Sequence, residues 1–169
     1  MAAQIKSASW KTQMNSMAQL QQMNAFQDQF GREKRKLRIS VTDRCNFKCS
    51  YCMPEHPEWM KKHNLLSFEA LYQFCDFMVR RGIEQIRITG GEPLLRPDIY
   101  DIAKRAKAKG FYVGLSSNGT LIDAPMAARI AGAGFDYVGI SLDGLKPTHD
   151  KFRRLDGAFD RSLAAIRHL

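Results

Sequence analysis

The pattern of apolar and polar residues along the chain changes between two periods. In residues 37–41 apolar side chains alternate with Arg38 and Ser40, which predicts a β-strand with one covered face. In residues 68–78 the apolar side chains return at every third or fourth position, which predicts a helix with one apolar face. Ser67 is a suitable N-cap for this helix, and Gly82 is a stop signal after it.

Strand and helix patterns continue to alternate up to the last residue. They predict strands over 37–41, 85–89, 112–116 and 137–141, and helices over 67–81, 98–109, 124–134 and 159–169. Four strand–helix units in a row indicate an α/β fold with parallel strands and outer helices. We expect residues 31–169 to form one domain, and residues 1–30, which are rich in Gln, Met, Ala and Ser, to be a poorly ordered extension.

Composition and charge narrow the class of protein. Of the 169 residues 44% are hydrophobic, enough for a core, and no apolar run approaches the roughly 20 residues that span a bilayer. The formal net charge of +9 suits an anionic small substrate or a nucleic acid. We favour the small substrate, because the densest basic run, 31–38, leads into a strand and has no interleaved aromatic residues. The grouping of the cysteines favours a reducing cytoplasm over a secreted disulfide framework.

Three of the four cysteines fall in one short loop after the first predicted strand. Cys45, Cys49 and Cys52 have the spacing C-x3-C-x2-C. Thiolates are ligands for iron–sulfur clusters, zinc or copper(I). A structural zinc site needs four protein ligands, usually from two paired arms, and no second arm with paired Cys or His follows here. Three thiolates would leave one iron of a 4Fe–4S cluster without a protein ligand, which is a position where chemistry can occur.

Two other interpretations of the loop remain open. The three thiols could belong to a zinc site completed by His56, His63 or Cys75, or they could be reduced structural cysteines. Cys75 lies on the apolar face of the predicted helix, so we expect it in the core.

Polar residues also follow each of the other predicted strands. They are Gly90-Gly91-Glu92, Ser116-Ser117-Asn118-Gly119 and Ser141-Leu142-Asp143. In folds with parallel strands and outer helices, ligands bind at the carboxyl ends of the strands. We therefore expect these three loops and the cysteine loop to form one site.

The cysteine loop and the loop after the second strand carry a resemblance to a known family. C-x3-C-x-Tyr-C after an apolar run resembles the cluster loop of radical S-adenosylmethionine (SAM) enzymes. The resemblance implies a partial TIM-like barrel of about six strand–helix units, of which this chain would hold the first four. It also implies that Cys45, Cys49 and Cys52 bind a 4Fe–4S cluster whose open iron binds SAM, and that one electron cleaves SAM to a 5′-deoxyadenosyl radical. The residues expected to place SAM are Tyr51, Gly90, Gly91, Glu92 and Ser141.

Two branches of this family are similar to different parts of the chain. Residues 31–95, including Arg-Ile-Thr-Gly-Gly-Glu-Pro-Leu at 87–94, resemble the GTP cyclases of molybdenum-cofactor biosynthesis. That resemblance implies GTP as substrate, with Arg38, Arg87 and Ser116 in contact with it. Residues after 95 are more similar to radical SAM proteins of haem d biosynthesis, with Ser-Ser-Asn-Gly at 116–119 where the cyclases usually have Thr-Thr-Asn-Gly.

The family resemblance has consequences for partners and completeness. It implies a reductase or a flavodoxin-type protein as electron donor. We interpret the sequence as the N-terminal piece of a longer enzyme, because four units do not close a barrel and no second cysteine cluster follows. The mixed resemblance leaves two explanations open, a related branch of the family or a join of two genes. The alternative from another class is a zinc-stabilised module that binds nucleic acid through its positive charge.

Overall fold

The computed structural model describes residues 25–169, apart from the side chain at position 62. Of the extension predicted over residues 1–30, residues 1–24 lie outside the described part of the chain. Residues 25–30 are described, and Gln27 forms an antiparallel bridge with Glu33. The strands are β1 (Lys36–Ser40), β2 (Gln85–Thr89), β3 (Tyr112–Ser117) and β4 (Tyr137–Ile140), and the α-helices are α1 (Phe68–Arg80), α2 (Ile99–Ala108), α3 (Ala124–Ala133), α4 (Lys146–Arg153) and α5 (Ala158–His168).

The four strands form one parallel sheet in the order β1-β2-β3-β4. The register places Arg38 opposite Arg87, and Arg87 opposite Gly114 on the next strand. Ser116 lies opposite Gly139. The predicted α/β fold with parallel strands is confirmed, and the carboxyl ends of all four strands meet at one edge of the sheet.

The two faces of the sheet differ in chemistry. One face is apolar and packs on the helices. The core between them holds Ile39, Ile86, Ile88, Val113 and Leu115 from the strands, and Leu71, Cys75, Ile102 and Ile130 from the helices. The opposite face exposes long polar and aromatic side chains, namely Lys36, Arg38, Arg87, Tyr112 and Tyr137. Because residues alternate between faces, one strand supplies both the core and this exposed face.

Local capping interactions explain where the predicted helices begin. The Ser67 hydroxyl accepts a hydrogen bond from the backbone N–H of Ala70 at 3.1 Å, as the N-cap of α1. Asp123 caps α3 in the same way through the N–H of Met126, at 2.8 Å. Among the described residues, no helix has both the length and the apolar content needed to cross a membrane.

One helix, α4, is absent from the sequence-based prediction. The sequence pattern predicts no helix between β4 and the last helix, but Lys146–Arg153 is helical. The buried side chains of α4 are His149 and Arg153, which are polar, so the helix carries no apolar stripe that a pattern could reveal. Asp150 then accepts hydrogen bonds from the N–H groups of Gly157 and Phe159 and so joins α4 to the first turn of α5.

Candidate functional site

A cleft of about 180 Å³ opens at the carboxyl ends of the strands. Most of the residues that the sequence analysis expected to form one site line it together: Cys45, Cys49, Tyr51, Cys52, Gly90, Gly91, Ser116 and Ser141. They come from the loops after all four strands, so the structure brings these loops together around one cleft. Arg153 of α4 lines the cleft as well and was not predicted.

The cysteine loop presents its three thiols in different environments. Cys49 is buried, Cys45 is half-buried and Cys52 is exposed. The N–H of Phe47 donates to Cys45 Sγ at 3.4 Å, and the N–H groups of Cys52 and Met53 both donate to the carbonyl of Cys49. Burial raises the pKa of the Cys45 thiol. Phe47 and Cys49 pack against Ala158 of α5 in a small apolar cluster that anchors the loop.

The two glycines after β2 bring their loop into direct contact with the cysteine loop. The N–H of Gly91 donates to the carbonyl of Thr42, and the N–H of Glu92 donates to the carbonyl of Arg44, both at 2.8 Å. A Cβ atom at Gly90 would lie 2.4 Å from the Thr42 oxygen, and one at Gly91 would lie 2.2 Å from the Arg44 oxygen. Gly90 also has a φ of +146°, which side chains rarely adopt. The structure therefore gives these glycines a role in joining two loops, beside the role in SAM binding that the resemblance implies.

Glu92 lies behind the cleft lining and connects the loops after β2 and β3. Its side chain is fully buried, Oε1 accepts from the Ser117 hydroxyl at 2.9 Å and from the N–H of Leu94, and Oε2 accepts from the N–H of Asn118 at 2.8 Å. Burial raises the pKa of this carboxyl, while the hydrogen bonds oppose the shift. The Asn118 side chain in turn donates to Asn46 in the cysteine loop at 2.8 Å.

Tyr51, Asp143 and Arg153 form a polar group beside the thiols. The Tyr51 hydroxyl donates to Asp143 Oδ2 at 3.1 Å, and burial raises the pKa of Tyr51 to about 12. Arg153 Nε lies 2.6 Å from the same oxygen as an ion pair, without the angle of a hydrogen bond. Arg153 Nη1 donates to Cys49 Sγ at 3.7 Å. Asp143 belongs to the loop after β4 that the sequence analysis assigned to the site, whereas Arg153 lacks a motif that a sequence pattern could identify, because its partner Cys49 lies 104 positions away.

The residues predicted to contact substrate are divided between two places. Ser116 lines the cleft with the thiols, whereas Arg38 and Arg87 line a separate groove of about 340 Å³ on the exposed face of the sheet. Lys36 lines the same groove. The Arg87 guanidinium lies 5.1 Å from the centre of the Tyr137 ring, a cation–π contact across two strands.

Four sulfur groups line the cleft in the described part of the chain, the three thiols and the thioether of Met53. Cys75 lies in the hydrophobic core, as predicted, and His56 and His63 are exposed. Across residues 25–169, no group of three His, Cys, Asp or Glu side chains lies close enough to hold a single metal ion. The donors themselves fit an iron–sulfur cluster, because three thiols from one loop line one cleft.

Comparison with known families identifies the superfamily of the chain. The sequence profile of the Radical SAM superfamily matches residues 39–169. The chain belongs to this superfamily. Its members use a 4Fe–4S cluster and SAM, and the chain resembles the solved structure "Native anSMEcpe with bound AdoMet" with a TM-score of 0.63 and 25% identity, over 79% of this chain and 40% of that one. Streptococcus suis SuiB bound to the precursor peptide SuiA shares the fold, with a TM-score of 0.68 at 18% identity, over 99% of this chain and 38% of that one.

Curated relatives from two radical SAM branches match the chain. The GTP 3′,8-cyclase of Aliarcobacter butzleri is 46% identical over 133 residues, which are 76% of this chain and 41% of the cyclase. The Campylobacter lari cyclase is 48% identical over 122 residues, covering 70% of this chain and 38% of the cyclase. The Fe-coproporphyrin III synthase of Methanosarcina barkeri is 38% identical over 141 residues, covering 83% of this chain and 35% of the synthase. The chain thus spans less than half the length of each of these relatives.

Proposed function

We propose that this chain binds a 4Fe–4S cluster through Cys45, Cys49 and Cys52 and places SAM beside it. The observation that carries the proposal is that these three thiols share one cleft with Gly90, Gly91 and Ser141, at the carboxyl ends of parallel strands. The bound cluster would supply the electron that cleaves SAM. The protein's own contribution would be three thiolate ligands from one loop, which would leave one iron without a protein ligand.

Each of the other proposed SAM residues has a distinct task. Gly90 and Gly91 keep the loop after β2 close to the thiols, with their backbone at the cleft wall. Ser141 offers an exposed hydroxyl on the opposite wall, after β4. Tyr51 is 60% exposed but fixed through its hydroxyl, so its ring can cover a ligand without reorientation. Glu92 lies behind the cleft lining and supports it, because its two carboxylate oxygens accept hydrogen bonds from the Ser117 hydroxyl and the Asn118 N–H.

The reaction that we propose is that of a GTP 3′,8-cyclase in molybdenum-cofactor biosynthesis. Support comes from the cyclase relatives at 46% and 48% identity and from the groove that holds Arg38 and Arg87. Guanidinium groups pair well with phosphate oxygens, and Lys36 adds a third positive charge in the same groove. A reductase or flavodoxin-type protein would supply the electron.

A second candidate is a haem-modifying radical SAM protein, as in haem d biosynthesis. The synthase relative from Methanosarcina barkeri is 38% identical over 141 residues, which are 83% of this chain. The basic groove would suit the carboxylates of a porphyrin as well as a triphosphate. The two candidates differ in the size and flatness of the substrate, so binding can separate them.

Anaerobic reconstitution with iron and sulfide tests the cofactor proposal. We expect about four irons per chain, and formation of 5′-deoxyadenosine when SAM and a strong reductant are added. Cys45→Ala, Cys49→Ala and Cys52→Ala should each abolish the cluster, while Cys75→Ala serves as the control because that thiol lies in the core. A protein that takes up one zinc and no iron would contradict the proposal and support a zinc-stabilised module instead.

Ligand binding to the purified chain tests the substrate proposal. Equilibrium dialysis should show GTP bound more tightly than coproporphyrin, and Arg87→Met should weaken GTP binding about tenfold. Arg129→Met is a matched control, because Arg129 is exposed on the outer helix α3. Its guanidinium lies 4.2 Å from the centre of the Tyr100 ring. Tighter binding of the porphyrin would favour the second candidate. Equal loss in both arginine variants would indicate non-specific charge binding.

A further inference from the structure

The cysteine loop is held by a part of the chain that follows it by about a hundred residues. The N–H of Ser50 donates to the carbonyl of Phe152 in α4 at 2.9 Å. The rings of Tyr51 and Phe152 meet edge to face, with centroids 6.2 Å apart. Asp143 precedes α4, whereas Phe152 and Arg153 belong to it. We call these three residues the α4 clasp.

Arg153 is the central member of the clasp. Its residue exposure is 7%, and its guanidinium lies between the rings of Phe47 and Tyr51, at 5.9 and 5.8 Å from their centroids. A buried cation is stable only with negative or electron-rich partners around it. Arg153 has the Asp143 carboxylate on one side and Cys49 Sγ at 3.7 Å on another.

Asp143 is itself held in place from two directions. Its backbone N–H donates to Nδ1 of His149 at 3.2 Å, and the imidazole is fully buried against Phe159. Its Oδ2 accepts from the Tyr51 hydroxyl. The position of Arg153 is therefore determined by α4, by the loop after β4 and by the cysteine loop at once.

We propose that Arg153 is a positioning residue that orders the cysteine loop before any cofactor binds and raises the reduction potential of the cluster once it is bound. The first part concerns the metal-free protein, and the second rests on the cofactor function proposed above. A fixed positive charge next to Cys49 stabilises the cluster form that carries the additional electron. Fixing the loop in advance reduces the ordering cost that cofactor binding would otherwise carry.

Hydrogen exchange of the metal-free chain tests the first part. In Arg153→Met we expect the amides of Ser50, Cys52 and Met53 to exchange about tenfold faster or more, because their hydrogen bonds depend on the clasp. Lys151→Met is the matched control, since Lys151 is exposed on the same helix. Peptides from β2 and β3 report on the rest of the fold in the same experiment.

Asp143→Asn and Arg153→Lys test the same role if Arg153→Met destabilises the whole fold. If Arg153→Met also loosens β2 and β3, Asp143→Asn provides the same comparison, because it removes the ion pair and leaves the guanidinium in place. Arg153→Lys keeps the charge but cannot contact Asp143 and Cys49 together. We expect fast loop exchange in Arg153→Lys and a reduction potential close to that of the wild type, whereas Arg153→Met should have a more negative potential.

The outcomes distinguish this inference from the cofactor proposal. Unchanged loop exchange in Arg153→Met and Asp143→Asn would overturn the positioning role, whatever the iron content. Faster exchange with an equal potential in all reconstituted variants would overturn the electrostatic part. A chain that binds no iron would contradict the proposed function, while the exchange result would still decide the role of Arg153 in the loop.

Discussion

Replacing Gly91 by alanine should separate the two loops that form the cleft. The added Cβ would lie 2.2 Å from the Arg44 carbonyl oxygen and 2.6 Å from that of Asp43, and both are backbone atoms that cannot rotate away. Overpacking of this kind costs about 1–3 kcal/mol of unfolding free energy. The movement also breaks the hydrogen bonds from Gly91 to Thr42 and from Glu92 to Arg44, each contributing about 1 kcal/mol. We expect a total loss of about 3–5 kcal/mol.

Urea unfolding of the metal-free chain measures this loss, and reconstitution of the same variant measures its effect on the site. Gly91→Ala should hold less iron per chain than the wild type, because the loop that carries the thiols is displaced. Gly132→Ala is the control: a Cβ there meets nothing within 4 Å, and alanine in a helix should stabilise by roughly 0.5–1 kcal/mol. A Gly91→Ala protein within 1 kcal/mol of the wild type would refute the close approach of the loops.

Three other expectations use the same measurements. Cys75→Ala should retain the full iron content and lose about 1 kcal/mol of stability, since its thiol only fills the core; bleaching of this variant would contradict the ligand assignment. Glu92→Gln should lose about 2 kcal/mol in urea unfolding, because an NH2 group replaces an oxygen that accepts hydrogen bonds in a buried place. The ion pair with Lys107 lowers the pKa of Asp136, so the stability advantage of the wild type over Asp136→Asn should be full above about pH 4 and fall as the pH drops through the folded pKa. A difference that is independent of pH would contradict that last expectation.

The elements that the sequence predicted correctly are those whose signal is local. β2 spans Gln85–Thr89 as expected, because its apolar residues alternate between Gly82 and the Gly90-Gly91 pair. α1 begins after Ser67, since a serine hydroxyl at this position satisfies a free N–H of the first turn. The four loops could be assigned to one site for a topological reason: parallel strands place all their carboxyl ends at one edge.

The contacts that organise the site could not be predicted, because each joins distant parts of the chain. Asn46 meets Asn118 across 72 positions, and Arg153 meets Cys49 across 104. α4 has no apolar stripe, and its buried Arg153 looks in the sequence like any surface arginine. Gly90 and Gly91 were expected to help place SAM, and their close approach to the backbone of Thr42 and Arg44 is a further contact that the sequence does not reveal.

Because Cys49 and Arg153 are 104 positions apart, they are synthesised at different times during translation. A ribosome adds about 5–20 residues per second, so the thiols leave the exit tunnel roughly 5–20 s before the arginine that steadies them. During this interval the nascent chain exposes the three thiols without the contact between Arg153 and Cys49. We therefore expect iron delivery to be more efficient once Arg153 has left the tunnel, and the thiols to be open to oxidation before then during synthesis in air.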